Sequence, residues 1–346
     1  VKPKLSVTQS TFRSNRANSI SSGDGGGAIS INSGVFTSHG NLFLKNYAER
    51  NGGGLRSVRS DVSLVESVFD NNRGDNGGGI GCLSSQMEMV NVTARNNEAG
   101  TDGGGGWFLL CSPVITSSTW VHNKAHQAGG GVYFGLYSLP TFPQQVLSEQ
   151  PNSIISFNEA TVRGGGLDCF KCSGISMAGV VFEGNVATNG PGGGIALTDI
   201  NAAPDQALLL DSINFTACQS GRLGGGGLYM SRCSNTLQIK RSLFLANIAS
   251  NGGGGGLLWE VENTEKTHDS APMVMAGCIY AHNKAAYGAF LASTQYKLFM
   301  IDGPTKDGPE RLVLPGRSSQ GQDISTYSSM ANDWKLVESG KSFSGN

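Results

Sequence analysis

The chain of 346 residues contains few charged side chains and has almost no net charge. Charged residues make up 15% of the sequence, and 25 basic against 26 acidic residues give a formal net charge of −1. This balance removes the electrostatic basis for binding nucleic acid or an anionic membrane surface. Prolines number only 11, and no apolar run approaches the roughly 20 residues that a membrane-spanning helix needs. We therefore expect neither a collagen-like chain nor a membrane span.

Cysteine is also scarce, since the chain has seven, an odd number. The sequence begins with Val1 and its first residues lack a signal-peptide core, so we expect a processed chain or a piece of a longer protein. The triplets that begin at Asn91 and Asn214 fit the N-glycosylation pattern. Together with the cysteines, they favour an extracellular or cell-surface location.

Glycine is abundant instead, with 51 residues that recur in clusters. The clusters begin 25 to 35 residues apart, and an apolar residue follows each of them directly or within one residue. The first glycines of the clusters are Gly25, Gly52, Gly77, Gly103, Gly129, Gly164, Gly192, Gly224 and Gly252. Glycine at this density is too costly inside helices, so the repeat indicates a β-structure.

A second motif alternates with the first, in which an aromatic or apolar residue stands three places before an asparagine. Thr93 takes the apolar place before Asn96, and Cys218 stands where an asparagine is expected after Phe215. The asparagines assigned to this motif are Asn15, Asn46, Asn72, Asn96, Asn123, Asn158, Asn185, Asn247 and Asn283.

The two motifs together predict an all-β, single-stranded parallel β-helix of about ten coils over residues 1–290. Residues 62–69 and 237–244 alternate between apolar and polar side chains, as strands do. Stacked coils lie about 4.8 Å apart, so the asparagines are expected to form an internal ladder. The glycine rhythm stops after residue 290, and residues 291–346 are expected to form a β or irregular C-terminal cap, a tail or a junction to a following domain.

The two motifs resemble the repeat of the chlamydial polymorphic outer membrane proteins. Gly26-Gly27-Ala28-Ile29 and Phe43-Leu44-Lys45-Asn46 match that repeat literally, and the resemblance covers about four fifths of the chain. The repeat is similar also to that of very large extracellular proteins of algae, ciliates and other protists. The resemblance implies a right-handed β-helix displayed at a cell surface, with a role in adhesion or in a surface coat. A third glycine usually replaces the alanine, as in Gly52-Gly53-Gly54-Leu55.

Sites of catalysis or metal binding are not strongly indicated. Acidic and amide residues precede several glycine corners, where turn chemistry is favoured over a calcium ladder; they are Asp24, Asn51, Asp75, Asn76, Asp102 and Asn251. Four acids lie closest to repeat positions without a basic partner in register, namely Asp61, Asp70, Asp168 and Glu183. His122 and His126 lie four apart, which would pair them on a helix, but they lie in a turn segment, so we expect no zinc site. We expect no cofactor.

The cysteines are more informative about structure. Cys82 and Cys111 follow the glycine corner in adjacent coils, so stacking should bring them close enough for a disulfide. Cys169 and Cys172 could close a local loop. Residues 133–152, 200–207 and 260–272 exceed the repeat period and are expected to be surface loops, the first of them a possible contact site.

The sequence therefore predicts an extracellular structural or adhesive rod rather than an enzyme. Its expected partners are copies of itself, other coat or fibre components, and possibly glycans. The alternative is a β-helix that binds or cleaves polysaccharides, because many parallel β-helices have that activity.

Overall fold

A computed structural model describes residues 2–18, 25–143, 152–200, 208–233, 237–260, 273–293 and 299–300. Within these ranges all regular secondary structure consists of β-strands. The strands form four parallel sheets, here called sheets I to IV, and each turn of the chain adds one strand to each sheet in sequence order. This arrangement confirms the predicted all-β parallel β-helix.

The four sheets have the following strands. Sheet I consists of Lys4–Thr8, Val35–His39, Asp61–Val65, Gln86–Val90, Val114–Thr116, Thr141–Phe142, Ser176–Ala178, Leu208–Asp211, Leu237–Lys240, Met273–Ala276 and Phe299–Met300. Sheet II consists of Thr11–Arg13, Leu42–Leu44, Val68–Asp70, Thr93–Arg95, Thr119–Val121, Ile154–Ser156, Val181–Glu183, Asn214–Thr216, Leu243–Leu245 and Ile279–Ala281. Sheet III consists of Arg16–Ala17, Tyr47–Ala48, Arg73–Gly74, Glu98–Ala99, Lys124–Ala125, Glu159–Ala160, Val186–Ala187, Gln219–Gly224 and Ile248–Gly253. Sheet IV consists of Ile29–Asn32, Leu55–Val58, Ile80–Leu83, Gly106–Leu109, Val132–Gly135, Leu167–Phe170, Ile195–Thr198, Leu228–Ser231, Leu257–Glu260 and Leu291–Ser293.

The coil count differs slightly from the expected ten. In the described part of the chain the sheets contain 11, 10, 9 and 10 strands, and the shortest sheet limits the number of complete four-strand coils. Sheets IV and I continue past residue 290, because Leu291–Ser293 pairs with Leu257–Glu260 and Phe299–Met300 pairs with Met273–Ala276. The rest of the predicted C-terminal segment, residues 294–298 and 301–346, lies outside the described residues.

Phenylalanines stacked from coil to coil fill the interior beneath sheet II. The rings of Phe43 and Phe69 are fully buried and stack at 4.4 Å with an interplanar angle of 3°. The rings of Phe215 and Phe244 stack at 4.8 Å farther along the axis. The strands that carry these rings pair in register, so each motif repeats its aromatic residue at one height of the next coil. The periodic phenylalanine is therefore a core residue.

The glycine clusters form the corner between sheets III and IV. Gly103 has a φ of 70°, a conformation that side chains other than glycine rarely adopt. A Cβ atom on Gly104 would lie 2.3 Å from the carbonyl oxygen of Gly130 in the next coil. The corner thus requires glycine for its backbone conformation and for the close approach of neighbouring coils.

This corner also folds over the outer face of sheet IV. The second residue of each sheet IV strand points away from the interior, since side chains alternate along a strand, yet Tyr133, Asp168 and Tyr229 are buried. A Cβ on Gly164 would lie 2.7 Å from the Cβ of Asp168, which shows how closely the corner covers that position. We call this second, external buried row the outer seam. Its sheet IV residues, all buried except the half-buried Trp107, are Arg56, Gly81, Trp107, Tyr133, Asp168, Ala196, Tyr229, Leu258 and Ala292.

The expected surface loops have different outcomes. The interpretation of residues 133–152 as a loop was wrong at its start, because Tyr133 and Phe134 belong to a strand of sheet IV and are buried. Leu136 and Tyr137 are exposed, and Phe142 is buried in sheet I. The other parts of these segments, residues 144–151, 201–207 and 261–272, lie outside the described residues.

Candidate functional site

A ladder of buried asparagines runs along the interior at the turn between sheets II and III. Asn123 shows the pattern: its Oδ1 accepts hydrogen bonds from the backbone N and the Nδ2 of Asn97, at 3.0 Å each. Its Nδ2 donates to the backbone carbonyl of Ala94 and to Oδ1 of Asn158, at 2.9 and 3.0 Å. Each amide therefore satisfies buried backbone groups and joins three successive coils.

The structure places all the predicted ladder asparagines in this row except Asn96. They are Asn15, Asn46, Asn72, Asn123, Asn158, Asn185, Asn247 and Asn283, of which Asn15, in the first coil, is exposed. The assignment of Asn96 was wrong, because Asn97 occupies the ladder and Ala94 pairs with Phe69 and Trp120 in the aromatic row. Asn96 instead adopts a φ of 54° in the exposed turn and donates to Oδ1 of Asp70.

Cys218 stands in the ladder in the coil that lacks the asparagine. Its backbone N donates to Oδ1 of Asn247 at 3.0 Å, as a ladder asparagine would. On the other side, Nδ2 of Asn185 lies 3.9 Å from its sulfur, a weaker contact than the amide pairs. Burial raises the pKa of Cys218 to about 12, so the thiol remains protonated at neutral pH.

Two disulfides are present, and each joins a pair of cysteines singled out in the sequence. Cys82 of sheet IV is bonded to Cys111 of the following coil, with Cα atoms 6.5 Å apart. Cys169 and Cys172 are bonded within one coil, with Cα atoms 5.9 Å apart. Cys218 and Cys233 are free thiols, and Sγ of Cys278 lies 3.5 Å from the backbone carbonyl oxygen of Ile239.

A second polar row, not anticipated from the sequence, lies at the turn between sheets IV and I. The Oγ of Ser60 accepts from the backbone N of Gly34 at 3.2 Å, and Ser85 accepts from Ser60 at 3.1 Å. Cys111 accepts from Ser85 through its sulfur, and Ser138 accepts from Cys111. The signal that could have revealed this row is a serine or cysteine two places after several sheet IV strands, as at Ser60, Ser85 and Cys111.

The strongest concentration of titratable groups lies in the outer seam, and we call it the seam cluster. It consists of Asp102, Tyr133, Arg163 and Asp168. The Nε of Arg163 lies 2.8 Å from Oδ1 of Asp168, whose side chain is fully buried, and Tyr133 pairs with Asp168 on the adjacent coil. Oδ2 of Asp168 has no hydrogen-bond partner in the described part of the chain.

Burial dominates the electrostatics of the seam cluster. It raises the pKa of Asp168 to about 7, against the opposing attraction of Arg163. Burial likewise raises the pKa of Asp102, whose Oδ1 accepts from the backbone N of Ala128. The phenol of Tyr133 has a raised pKa because it is buried and lies near both carboxylates. At neutral pH the cluster therefore holds a carboxyl group close to its titration midpoint beside a permanent cation.

Sequence reasoning identified only Asp168 of this cluster, and the other three acids weighed with it lie elsewhere. Asp61 pairs with Lys2 and lines an open groove on the outer face of sheet I. Asp70 pairs with Arg95 on sheet II, and Glu183 is the exposed last residue of the sheet II strand Val181–Glu183. No two of these four acids lie in register on neighbouring coils, although Asp70 and Asp168 each have an arginine partner.

The histidine and corner residues make separate contacts. His122 stacks on Phe157 at 5.4 Å, whereas Nε2 of His126 lies 2.9 Å from the carboxylate of Glu98, so the two rings do not converge. Asn76 donates to Asn51 at 3.0 Å and accepts from Thr101. Asp24 lies outside the described residues. Within the described ranges, no three His, Cys, Asp or Glu side chains are grouped as metal ligands.

Both glycosylation candidates lie at sheet II. Asn214 begins the strand Asn214–Thr216 and is exposed, and Asn91 is a half-buried turn residue between sheets I and II with a φ of 54°. In the described ranges no helix is long and apolar enough to cross a membrane. No family model, no curated protein and no solved structure matches the chain.

The two adjacent asparagines offer a matched test of the ladder. We expect Asn97→Gly to lower the free energy of unfolding by about 3 kcal/mol or more, because it leaves several buried donors and acceptors without partners at about 1–3 kcal/mol each. Asn96→Gly should change it by less than about 1 kcal/mol, since glycine suits a positive φ. Urea unfolding of both variants measures the difference. Equal effects would contradict the assignment of Asn97 to the ladder.

The disulfides should differ in their contribution. Cys82 and Cys111 are 29 residues apart and Cys169 and Cys172 only three, so chain entropy predicts about 3–4 kcal/mol for the first and about 2 kcal/mol for the second. We expect Cys82→Ala with Cys111→Ser to destabilise more than Cys169→Ala with Cys172→Ser. Denaturant unfolding under oxidising conditions checks this order. Addition of reductant to both variants shows whether the remaining bond accounts for the residual stability, and a reversed order would argue against the entropic explanation.

The seam cluster predicts a distinctive pH profile. The native pKa of Asp168, about 7, exceeds the usual value near 3.9, so its stabilising contribution is complete below pH 4 and is lost as the pH rises through 7. As the pH rises from 4 to 8, the parent chain should lose unfolding free energy that Asp168→Asn keeps, because asparagine does not titrate. The difference between the two proteins should therefore shift in favour of the variant by on the order of a few kcal/mol. Unfolding midpoints across this range measure the effect. The control is Asp61→Asn, which removes an exposed ion pair of small value, and parallel profiles for Asp168→Asn and the parent would refute the prediction.

Proposed function

We propose that the chain is an extracellular structural or adhesive rod, a spacer or building block of a cell-surface coat, fibre or appendage. The observation that carries this proposal is the asparagine ladder, which links successive coils through buried hydrogen bonds on either side of Cys218. Because each coil is bonded directly to its neighbours, tension or compression along the axis is shared among many short contacts. The resemblance of the repeat to bacterial surface proteins and protist extracellular proteins supports the location.

The ladder also has a direction, and this bears on self-association. From Asn46 onward each Oδ1 in the row accepts from the preceding coil, the backbone N donates to the following coil, and Nδ2 donates to both, as Asn46 and Asn72 show. A second copy can extend such a row only head to tail, which is a heterologous contact and propagates into a filament. We propose this end-to-end arrangement for copies of the chain.

Assembly is tested by sedimentation and electron microscopy of the full chain over a range of concentrations. We expect unbranched rods whose length grows in increments of about 43 Å, the rise of about nine coils. Ser6→Pro should abolish assembly without lowering the unfolding midpoint. Ser6 lies in the strand Lys4–Thr8, which pairs with Val35–His39. The N–H of Gln9 donates to His39, and backbone N–H groups point to opposite sides of a strand at successive residues, so the N–H of Ser6 points away from Val35–His39.

The matched control is Ser6→Ala, which keeps the backbone donor and should assemble like the parent. The proposal would be overturned if the chain remained monomeric at every concentration and if labelling of the producing cell did not detect it in a surface layer. Turnover of a polysaccharide that a single acidic substitution, such as Asp168→Asn, abolishes would also overturn it, because that result assigns the chain to the alternative class of β-helix enzymes.

A further inference from the structure

Two kinds of asparagine occur in this solenoid, and they differ in the residue found two places later in the sequence. The ladder asparagines are buried from Asn46 onward, with at most 5% of each residue exposed. The residue two places after each of them is alanine, or glycine at Gly74, because that position in sheet III points into the crowded interior. No ladder asparagine therefore belongs to an Asn-x-Ser/Thr acceptor triplet.

One coil departs from this pattern at both places. Two residues after the ladder position it has Ser220, whose Oγ is buried and makes no hydrogen bond within the described residues. In the same coil the ladder position holds Cys218 instead of asparagine. An asparagine there would create the triplet Asn-Gln-Ser, with an acceptor amide that the folded ladder must bury. The cysteine replaces the asparagine in the coil where asparagine would be a glycan acceptor.

The two triplets that do occur, Asn91-Val92-Thr93 and Asn214-Phe215-Thr216, are placed differently. Asn214 is exposed and Asn91 is half-buried in a turn, whereas the ladder asparagines from Asn46 onward are buried and hydrogen-bonded. Asn214 and Thr93 lie in one outward row of sheet II that runs along the axis. The row consists of Leu42, Val68, Thr93, Thr119, Ile154, Val181, Asn214 and Leu243.

We propose that Asn91 and Asn214 carry N-linked glycans, that both glycans cover the outer face of sheet II, and that Cys218 keeps a third glycan out of the ladder. The inference rests on the proposed extracellular location. The sites are four coils apart, about 19 Å at the usual strand spacing. Sugars at Asn214 lie over Val181 and Leu243, its half-buried neighbours in the row. Sheets I, III and IV and the ends of the solenoid remain for contacts with partners.

The modification requires a donor that the proposal names by class, a lipid-pyrophosphate-linked oligosaccharide. The Nδ2 of the acceptor asparagine forms a bond to the anomeric carbon of the first sugar. The bond from that carbon to the pyrophosphate oxygen breaks, and the amide proton leaves with the phosphate or passes to solvent. No oxidation or reduction occurs. Transfer precedes folding, so an acceptor at position 218 would be modified before the ladder could bury it.

The experiment expresses the full chain with a secretion signal in eukaryotic cells and counts glycans by intact mass. Peptide N-glycosidase in heavy-oxygen water then marks each occupied asparagine by its conversion to aspartate. We expect two glycans on the parent chain and the loss of one glycan in each of Asn91→Gln and Asn214→Gln. A secreted, cooperatively folded parent chain without glycans at these sites would overturn the proposal.

A matched pair of variants tests the role of Cys218. In secretory expression, Cys218→Asn should gain a third glycan and lose secretion, whereas Cys218→Asn with Ser220→Ala should return to two glycans and to the parental yield. In the bacterial cytoplasm, which lacks this glycosylation, both variants should unfold as cooperatively as the parent, because asparagine restores the ladder. The idea fails if Cys218→Asn remains unmodified while Asn91 and Asn214 are occupied, or if it is secreted normally with a third glycan.

These results are separable from the proposed function. A chain that assembles into surface rods but has no glycan at either site refutes this inference and leaves the rod proposal standing. A chain that carries both glycans but never assembles and has no place at a surface supports this inference and refutes the rod proposal.

Discussion

The structure depends on the requirement that buried turn backbones find hydrogen-bond partners along the axis. At a turn between two sheets, a buried backbone N–H has no acceptor within its own coil. A side chain at the same turn of the next coil supplies that acceptor. Asn123 does this for Asn97, and Ser85 does it for Ser60. Few side chains are short enough and polar enough to act as this acceptor. This explains why asparagine occupies the turn between sheets II and III, with one cysteine, and why serine and cysteine occupy the turn between sheets IV and I. The same requirement makes each coil incomplete without its neighbours.

The sequence was sufficient to predict the coil geometry, because both repeat motifs occupy positions where one residue type is physically required. The error at Asn96 shows the limit of pattern matching. The aromatic position of that coil is filled by Ala94, which lies beside the fully buried Trp120, and the large ring takes the volume that the small side chain leaves. Without an aromatic residue to set the phase, two adjacent asparagines were indistinguishable. The phase follows from Ala99, two residues after Asn97, as Ala48 follows Asn46.

The outer seam was beyond prediction from period alone. Strand alternation assigns Tyr133 and Asp168 to the outside of sheet IV, which in most sheets means contact with solvent. They are buried because the glycine corner folds back over them, and this depends on the path of a backbone without side chains. Asp102 and Asp168 lie far apart in sequence, and only the stacking of coils brings the two carboxylates close enough to interact electrostatically. Sequence reasoning could weigh each acid separately but could not place Arg163 beside one of them.

The seam changes character along the axis, and this bears on how identical-looking coils choose their neighbours. Near its middle it holds the ion pair of Arg163 with Asp168, and the following coils hold Ala196, Tyr229 and Leu258. Apolar packing can replace a buried ion pair with little loss of stability, so stability alone does not account for the ion pair. A slip by one coil would keep most contacts of the ladder and the phenylalanine stack, but it would break contacts that occur only once, such as the disulfide between Cys82 and Cys111 of adjacent coils. Such a slip separates Tyr133 from Asp168 and moves the ion pair onto a coil that lacks the matching groups. The seam cluster is therefore one of several contacts that do not repeat, together with the Cys82–Cys111 disulfide and Cys218 in the ladder, and such contacts distinguish the native stacking of coils from a slipped one.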